Sequence, residues 1–232
     1  MLKEFIYTEE DVKNALLGTI FADGSIQKER KTSSEKTSYR LTTYVEVTHT
    51  SKNLDYLREV KELFESINGV VCDIKEHSKV TKEKTYTLYR LTTNSTKYFK
   101  ELRDKIYDNN RTKLFPKELV DKFNDLSLLL LYLDDGTLRV RFYENSNKRR
   151  EARVTFCLDS FTLEELNYFR SYLKNKYGID SHIYRHSKNL PLNRGFRIWL
   201  NTMNTEKFMS IINKFYECVP SMKYKFTKYY SL

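Results

Sequence analysis

Apolar positions along this chain fall into two alternating rhythms. Over residues 9–22, Val12, Leu16, Thr19 and Ile20 recur at helical spacing, and Asp23-Gly24 marks the stop. A short strand is expected from Ser25, followed by the polar loop KERKTSSEKTS. RLTTYVEV (40–47) then alternates: Leu41, Val45 and Val47 share one face, and Arg40, Thr42, Tyr44 and Glu46 the other. Residues 51–67 predict an amphipathic helix, VVCDIKEH and KTYTLYRLTT two further strands, and 95–109 a closing helix.

The second half runs through the same order. A helix extends to Leu133, followed by strand TLRVRFY, loop ENSNKRRE and strand ARVTFCL. Helix 162–177 opens on the capping pattern Thr162-x-x-Glu165. Strands SHIYRHS and GFRIWLN follow, then helix 204–216. Each half therefore reads α-β-β-α-β-β-α. The expected class is α+β, with an antiparallel four-stranded sheet in each half covered by helices on one face.

The order repeats because the sequence does. LLGTIFADGSI (16–26) parallels LLLLYLDDGTL (128–138), which sets Asp23 and Asp135 112 residues apart. Lys113 in TKLFP and Lys225 in YKFT keep the same spacing, as do LDYLREV (54–60) and LNYFRSY (166–172). TNSTKYFKEL and TMNTEKFMSI are offset by 109, a slip of three that loops absorb. Four such matches indicate a duplication with a domain-sized period, too long for a solenoid. The expected halves are 1–115 and 116–232, joined near Phe115-Pro116-Lys117 without a Gly/Ser linker and packed tightly together.

Charge changes the picture of the sheet faces. The net charge of +10, from 41 Lys and Arg against 31 Asp and Glu, implies an anionic partner. Leu138, Val140 and Phe142 oppose Arg139, Arg141 and Tyr143; Val154, Phe156 and Leu158 oppose Arg153 and Thr155; Phe196, Ile198 and Leu200 oppose Arg197, Trp199 and Asn201. The polar face is basic with aromatics interleaved, and the loops KERK (28–31) and KRR (148–150) add to it. Double-stranded DNA is the expected partner, with Gln27, Arg40, Thr42, Tyr44, Arg90, Arg139, Arg141, Tyr143, Arg153, Thr155, Arg197 and Trp199 as candidate contacts. No helix pairs a basic face with a large apolar one, and the run LSLLLLYL is too short to span a bilayer, so no membrane partner is expected. Cys72, Cys157 and Cys218 are odd in number and widely spaced, which argues for a reducing, intracellular setting and against a cysteine zinc site. His182 and His186 lie four apart on a strand among arginines, and read as surface or DNA-facing residues rather than zinc ligands.

The leucine run nonetheless ends on Asp134 and Asp135. If the two repeated helices pack side by side, their C-terminal tips bring Asp23 and Asp135 together. Two carboxylates at the negative ends of two helix dipoles repel, and a hard divalent cation such as Mg²⁺ removes the conflict. Ala15, Gly18 and Ala22 form a small-residue stripe for such packing, with Gly18 expected to receive a leucine of the partner helix. A cation beneath a basic concavity suits phosphodiester hydrolysis.

LLGTIFADG matches LAGLIDADG at six of nine positions, and LLLLYLDDG at four, including the final D-G. With the repeat and the element order, the whole chain resembles the single-chain, two-motif LAGLIDADG homing endonucleases. That resemblance implies a monomer with two repeats forming a saddle over DNA. It implies cleavage of both strands at a long asymmetric target with 3′ overhangs, and two or three Mg²⁺ ions shared between Asp23 and Asp135. It points to the backbone carbonyls of Ala22 and Asp134 as further metal neighbours. Lys113 and Lys225 become candidates for phosphate stabilisation or for holding the attacking water, with His49 and Ser160 as weaker members of the water network. Within the same family an intron-encoded endonuclease, an RNA maturase and a non-cutting DNA-binding regulator are the competing expectations. Retention of both aspartates favours cutting, and no intein splicing motifs stand at the ends. Bacterial, phage and organellar settings fit equally.

Overall fold

The computed structural model describes residues 1–30, 37–47, 53–80, 85–144 and 149–226, apart from the side chains of 29, 30, 37–47, 79, 85, 86, 149 and 150. Its element order is α1 (Glu9–Phe21), β1 (Ser25–Arg30), β2 (Thr37–Val47), α2 (Leu54–Glu65), β3 (Cys72–Val80), β4 (Thr85–Thr93), α3 (Lys97–Ile106), then the short α4 (Lys117–Val120). There follow α5 (Asp125–Asp135), β5 (Gly136–Phe142), β6 (Arg149–Phe156), α6 (Leu163–Tyr177), β7 (His182–Arg185), β8 (Phe196–Leu200) and α7 (Thr202–Ile212). The strands form two four-stranded antiparallel sheets, ordered β1-β2-β4-β3 and β5-β6-β8-β7, so the same topology is laid down twice.

α1, α3, α5, α6 and α7 begin where side chains satisfy their orphan amides. Thr8 and Asp11 form a capping box on α1, and Asn124 and Ser127 form one on α5. The expected box of Thr162 and Glu165 opens α6. α7 starts at Thr202, two residues earlier than expected, because Asn201 accepts from the amide of Asn204; past Ile212 the chain tightens into a 3₁₀ turn, Asn213–Cys218. α5 also departs from expectation. It does not stop at Leu133 but carries Asp134 and Asp135 in its last turn. α1 ends at Phe21 and leaves Ala22 and Asp23 beyond it.

α1 and α5 pack on each other at the centre of the molecule, and the contact is backbone to backbone. A Cβ on Gly18 would sit 2.1 Å from the carbonyl oxygen of Ser127 and 3.0 Å from the amide nitrogen of Leu131. Gly18 therefore receives the partner helix's main chain, not a leucine side chain, and the helices approach more closely than the leucine-rich α5 suggested. Ser127 Oγ donates to the Asn14 carbonyl (2.8 Å) and Asn124 Nδ2 to that of Asp11 (3.1 Å), which fixes the register. At the expected joint, Phe115 lies in the shared core while Lys117 is exposed. Phe115 is fully buried and meets the rings of Phe21 (4.6 Å), Phe161 (4.7 Å) and Phe169 (5.4 Å). No helix among the described residues is long and apolar enough to cross a membrane.

The inward faces of the second sheet follow the expected alternation. Ala152, Val154, Phe156, Ile198 and Leu200 are buried, while Arg139, Arg141 and Tyr143 are exposed. Phe142 does not keep the inward pattern and is 40% exposed, because the β5–β6 register shifts between Arg141 and Phe142 at the far end of the hairpin.

Candidate active site and nucleic-acid interface

The tips of α1 and α5 each receive a lysine from far along the chain. Lys113 Nζ donates to the carbonyls of Ala22 (3.1 Å) and Gly24 (2.7 Å). Lys225 Nζ donates to those of Tyr132 (3.3 Å), Asp134 (3.4 Å) and Gly136 (2.9 Å). Ala22 and Gly24 stand 112 residues before Asp134 and Gly136, so the two lysines bind equivalent carbonyls. A cation at a helix C-terminus opposes the dipole and satisfies carbonyls that lack an intrahelical donor. The carbonyls expected near metal thus hold lysine ammonium groups here.

The glycine of each D-G pair is there for space. At Gly136 an added Cβ would sit 2.4 Å from the Tyr132 carbonyl and 2.1 Å from its ring. Only a residue without a side chain lets the strand leave the helix so close to Tyr132.

Asp23 is exposed, Asp135 half-buried, and their charges act on each other. Burial first, then the charge of Asp23, pushes the Asp135 carboxyl up to about 7, against the pull of Lys113 and Lys225. Lys113 is itself lowered to about 8 by burial; Asp135, from the other half, is the largest influence holding it charged, ahead of Asp23. Lys225 is lowered by burial and held by Asp134, Asp23 and Asp135. Two helix tips from separate halves therefore share one electrostatic cluster.

Asp134 adds a third carboxylate on one side only. Its Oδ1 accepts from the hydroxyl of Tyr56 on α2 (2.7 Å), while Oδ2 is closed off from solvent without a hydrogen-bond partner. Desolvation, and next the charge of Asp23, raises it to about 8. Ala22 occupies the equivalent place in the first half. The repeat partner of Tyr56, Tyr168, instead donates to Asp121 at the surface (2.7 Å).

This donor set fits a hard divalent cation. Asp23 and Asp135 supply oxygen donors whose mutual repulsion a cation would cancel, and buried Asp134 Oδ2 lacks a donor. Among the described residues no three carboxylate, imidazole or thiol groups converge into a cage. Mg²⁺ is commonly held in such open fashion, by one or two carboxylates plus phosphate and water.

Most of the remaining expected contact residues lie on strands of the two sheets. Gln27 is exposed and donates to Ser25 Oγ (2.9 Å). In register, Gln27 faces Arg40, Ser25 faces Thr42, and Arg90 lies between Tyr44 and Lys75. The side chains of Arg40, Thr42 and Tyr44 are outside the described part, and His49 is outside the described residues altogether. Arg139 and Arg153 stand directly opposite each other on β5 and β6. Thr155 is half-buried opposite Trp199, and Tyr143 lies just past the end of β5. Arg197 pairs with Asp159 (2.7 Å), so it is braced within the sheet margin.

Ser160 lies four residues past the end of β6, with its carbonyl accepting from Arg194, and no polar contact joins it to the aspartates. Asp159 is the neighbour whose charge reaches Asp135. Sequence reasoning missed Asp159 and Tyr56. The only signal for Tyr56 was its place in the repeated LDYLREV segment, and for Asp159 there was none.

The profile of the LAGLIDADG DNA endonuclease family matches residues 13–208. Among solved structures, the homing endonuclease I-WcaI bound to its DNA recognition sequence shares the fold with a TM-score of 0.70 at 18% identity, over 96% of this chain and 89% of that one. The LAGLIDADG homing endonuclease I-GzeII in complex with its DNA target gives 0.48 at 10% identity, over 97% and 90%. The curated Protein RecA of Mycobacterium shimoidei is 24% identical over 214 residues, which is 90% of this chain and 45% of that protein. The chain thus spans about half the length of that relative.

Proposed function

Because the chain belongs to the LAGLIDADG DNA endonuclease family, we propose that it is a site-specific, Mg²⁺-dependent homing endonuclease that cuts both strands of a long, asymmetric DNA target. In this reading the halves are 1–115 and 116–232, acting as one monomer. The observation that carries it is the duplicated helix tip: Lys113 and Lys225 hold equivalent carbonyls, and Asp23 and Asp135 share one field.

Duplex DNA lies across the uncovered faces of the two sheets, where Arg139, Arg141, Arg153 and Arg90 meet phosphates and base edges. Asp23 and Asp135 would hold the two or three divalent ions. When bound, these supply Lewis-acid polarisation of the phosphoryl oxygen and neutralise both carboxylates. Each motif aspartate serves one strand, which gives a staggered cut with 3′ overhangs. Lys113 and Lys225, partly desolvated and within the same field, stabilise charge developing on the phosphate. The two halves differ in groove-facing residues, Ser25 and Gln27 against Thr137 and Arg139, so the half-sites differ too. An intron-encoded gene in a bacterium, phage or organelle matches this activity.

The test is incubation of folded, purified protein with a plasmid library of randomised targets, with and without Mg²⁺. Recovery of one family of linearised sites in Mg²⁺ alone supports the reading. Failure to cut any site in Mg²⁺ overturns it.

A further inference from the structure

On the uncovered face of the second sheet, three side chains from three adjacent strands form a continuous stack. Trp199 on β8 is paired across the strand with His182 on β7, and the two rings lie nearly parallel, 22° apart with centroids at 4.3 Å. On the opposite neighbour, β6, Arg153 stands two residues from Thr155, the register partner of Trp199. Its guanidinium carbon lies 4.1 Å from the indole centroid. The stack continues as an ion-pair row: Arg153 Nη2 meets Glu151 Oε1 at 3.0 Å, and Glu151 Oε2 meets Arg141 Nη1 at 3.4 Å.

This arrangement holds an arginine still while spending only Nη2 on a protein partner, which leaves the Nη1/Nη2 end of the guanidinium to face a target. Arg153 keeps 39% of its side-chain surface exposed, and its Nε is buried with no hydrogen-bond partner. Arg139 stands directly opposite on β5, a like-charge pairing that costs stability in the free sheet. A sheet that tolerates such a pairing and orders one member against Trp199 is shaped for a target rich in acceptors. A long arginine ordinarily loses rotamer freedom when it is fixed; here the indole and Glu151 have removed much of that freedom before binding. A planar fork held in one orientation matches the paired O6 and N7 acceptors of guanine in the major groove.

We propose that the Arg153–Trp199–His182 stack is a base-reading element that selects guanine in the half-site beneath the second sheet. The proposal rests on the nuclease reading and deepens it. Arg153 makes the base contact; Trp199 and His182 are positioning residues that set the plane of its guanidinium. Lysine at 153 keeps the charge but loses the fork, and leucine at 199 keeps bulk but loses the stacking face.

The experiment first enriches a binding site for the wild-type chain from randomised duplex without Mg²⁺. It then measures competition by duplexes carrying each single base change, for wild type, R153K, W199L and H182A, with thermal unfolding of each variant recorded alongside. R153K and W199L are expected to lower the preference for guanine at the same one or two base pairs by about tenfold or more, leaving other positions unchanged. The double variant should add little to either single change, and H182A should give a smaller loss at the same place. Uniform weakening at every position marks a phosphate contact and overturns the proposal, as does an unchanged profile. If W199L fails to fold, R153K and H182A decide alone. If the wild-type chain enriches no site, the nuclease reading falls and this one falls with it; a wild-type site with unaltered variant profiles removes only the role of the stack.

Discussion

The hydroxyl of Tyr56 donates to Oδ1 of Asp134 at 2.7 Å, tying α2 of the first half to the tip of the second motif helix. That bond opposes the desolvation and the Asp23 charge that drive Asp134 towards its neutral form. Tyr56→Phe leaves a buried carboxyl with one donor fewer and is expected to cost about 1–3 kcal/mol. For a chain of this length that is a fall in Tm of roughly 2–4 °C per kcal/mol. Asp134→Ala, which restores the residue found at position 22, removes the buried charge but orphans the tyrosine hydroxyl. The double variant Tyr56→Phe/Asp134→Ala is therefore expected to be more stable without metal than either single variant. Thermal unfolding of the four proteins checks this, and simple additivity would show that the pair does not interact.

The motif aspartates are expected to separate binding from cutting. Asp23→Asn and Asp135→Asn each keep a similar shape and remove one negative charge from a cluster dense in it. DNA affinity without metal should hold or rise, because the phosphate backbone meets less repulsion. Cleavage should fall by more than the ~10–100-fold that loss of a supporting residue around a metal site alone produces. Nicking assays on supercoiled plasmid with a strand-specific label would also show whether each variant spares one strand.

Gly18 fixes how closely the halves approach. Its missing Cβ leaves room for the Ser127 carbonyl, an obstacle that is main chain and cannot swing aside. Gly18→Ala is expected to push α1 and α5 apart, at a cost at or above the ~1–3 kcal/mol typical of overpacking. The same change at Gly69, where an added Cβ meets nothing within 4 Å but φ is +76°, strains the backbone alone and should not alter cleavage. Comparing cleavage rates of the two variants under conditions where both are folded isolates the interhelical spacing.

Much of this was visible in the one-dimensional pattern because it is local or repeated. The helical spacing of Val12, Leu16 and Ile20, the Thr162–Glu165 cap and the strand alternation around Arg153 are short-range signals, and the structure follows them. The 112-residue offset marked Lys113 and Lys225 as equivalent, and they bind equivalent carbonyls. What escaped was contact between sequence-distant side chains. Nothing near Tyr56 announces Asp134, 78 residues away. Trp199 reads from the sequence as a candidate DNA contact, but its stacking partners do not, because its neighbours on the face come from β6 and β7 and cross-strand register sets them rather than adjacency. The end of α5 was misplaced because a helix tip that carries two aspartates is held by Lys225, ninety residues downstream, and not by local capping.

Proton and metal binding at the helix tips should be opposed in a measurable way. Asp134 and Asp135 hold their protons more tightly folded than unfolded, at about 8 and about 7 against an ordinary 3.8. Between about pH 4 and pH 7–8 the folded chain therefore carries more protons than the unfolded one, and metal-free stability falls as pH rises through that window. Lys113 acts in the opposite sense above it. Its folded value near 8 lies below the ordinary 10.5, so some stability returns as pH climbs from about 8 towards 10. A divalent cation requires the carboxylates deprotonated, so its binding releases protons and strengthens with pH. Thermal unfolding from pH 5 to 9 should show a metal-free Tm that declines to about pH 8. The rise in Tm on adding Mg²⁺ should be larger at pH 8 than at pH 6. In Asp135→Asn the added stability should shrink and its pH dependence flatten. A Mg²⁺ effect independent of pH, or one that Asp135→Asn retains in full, would place the cation away from the paired helix tips.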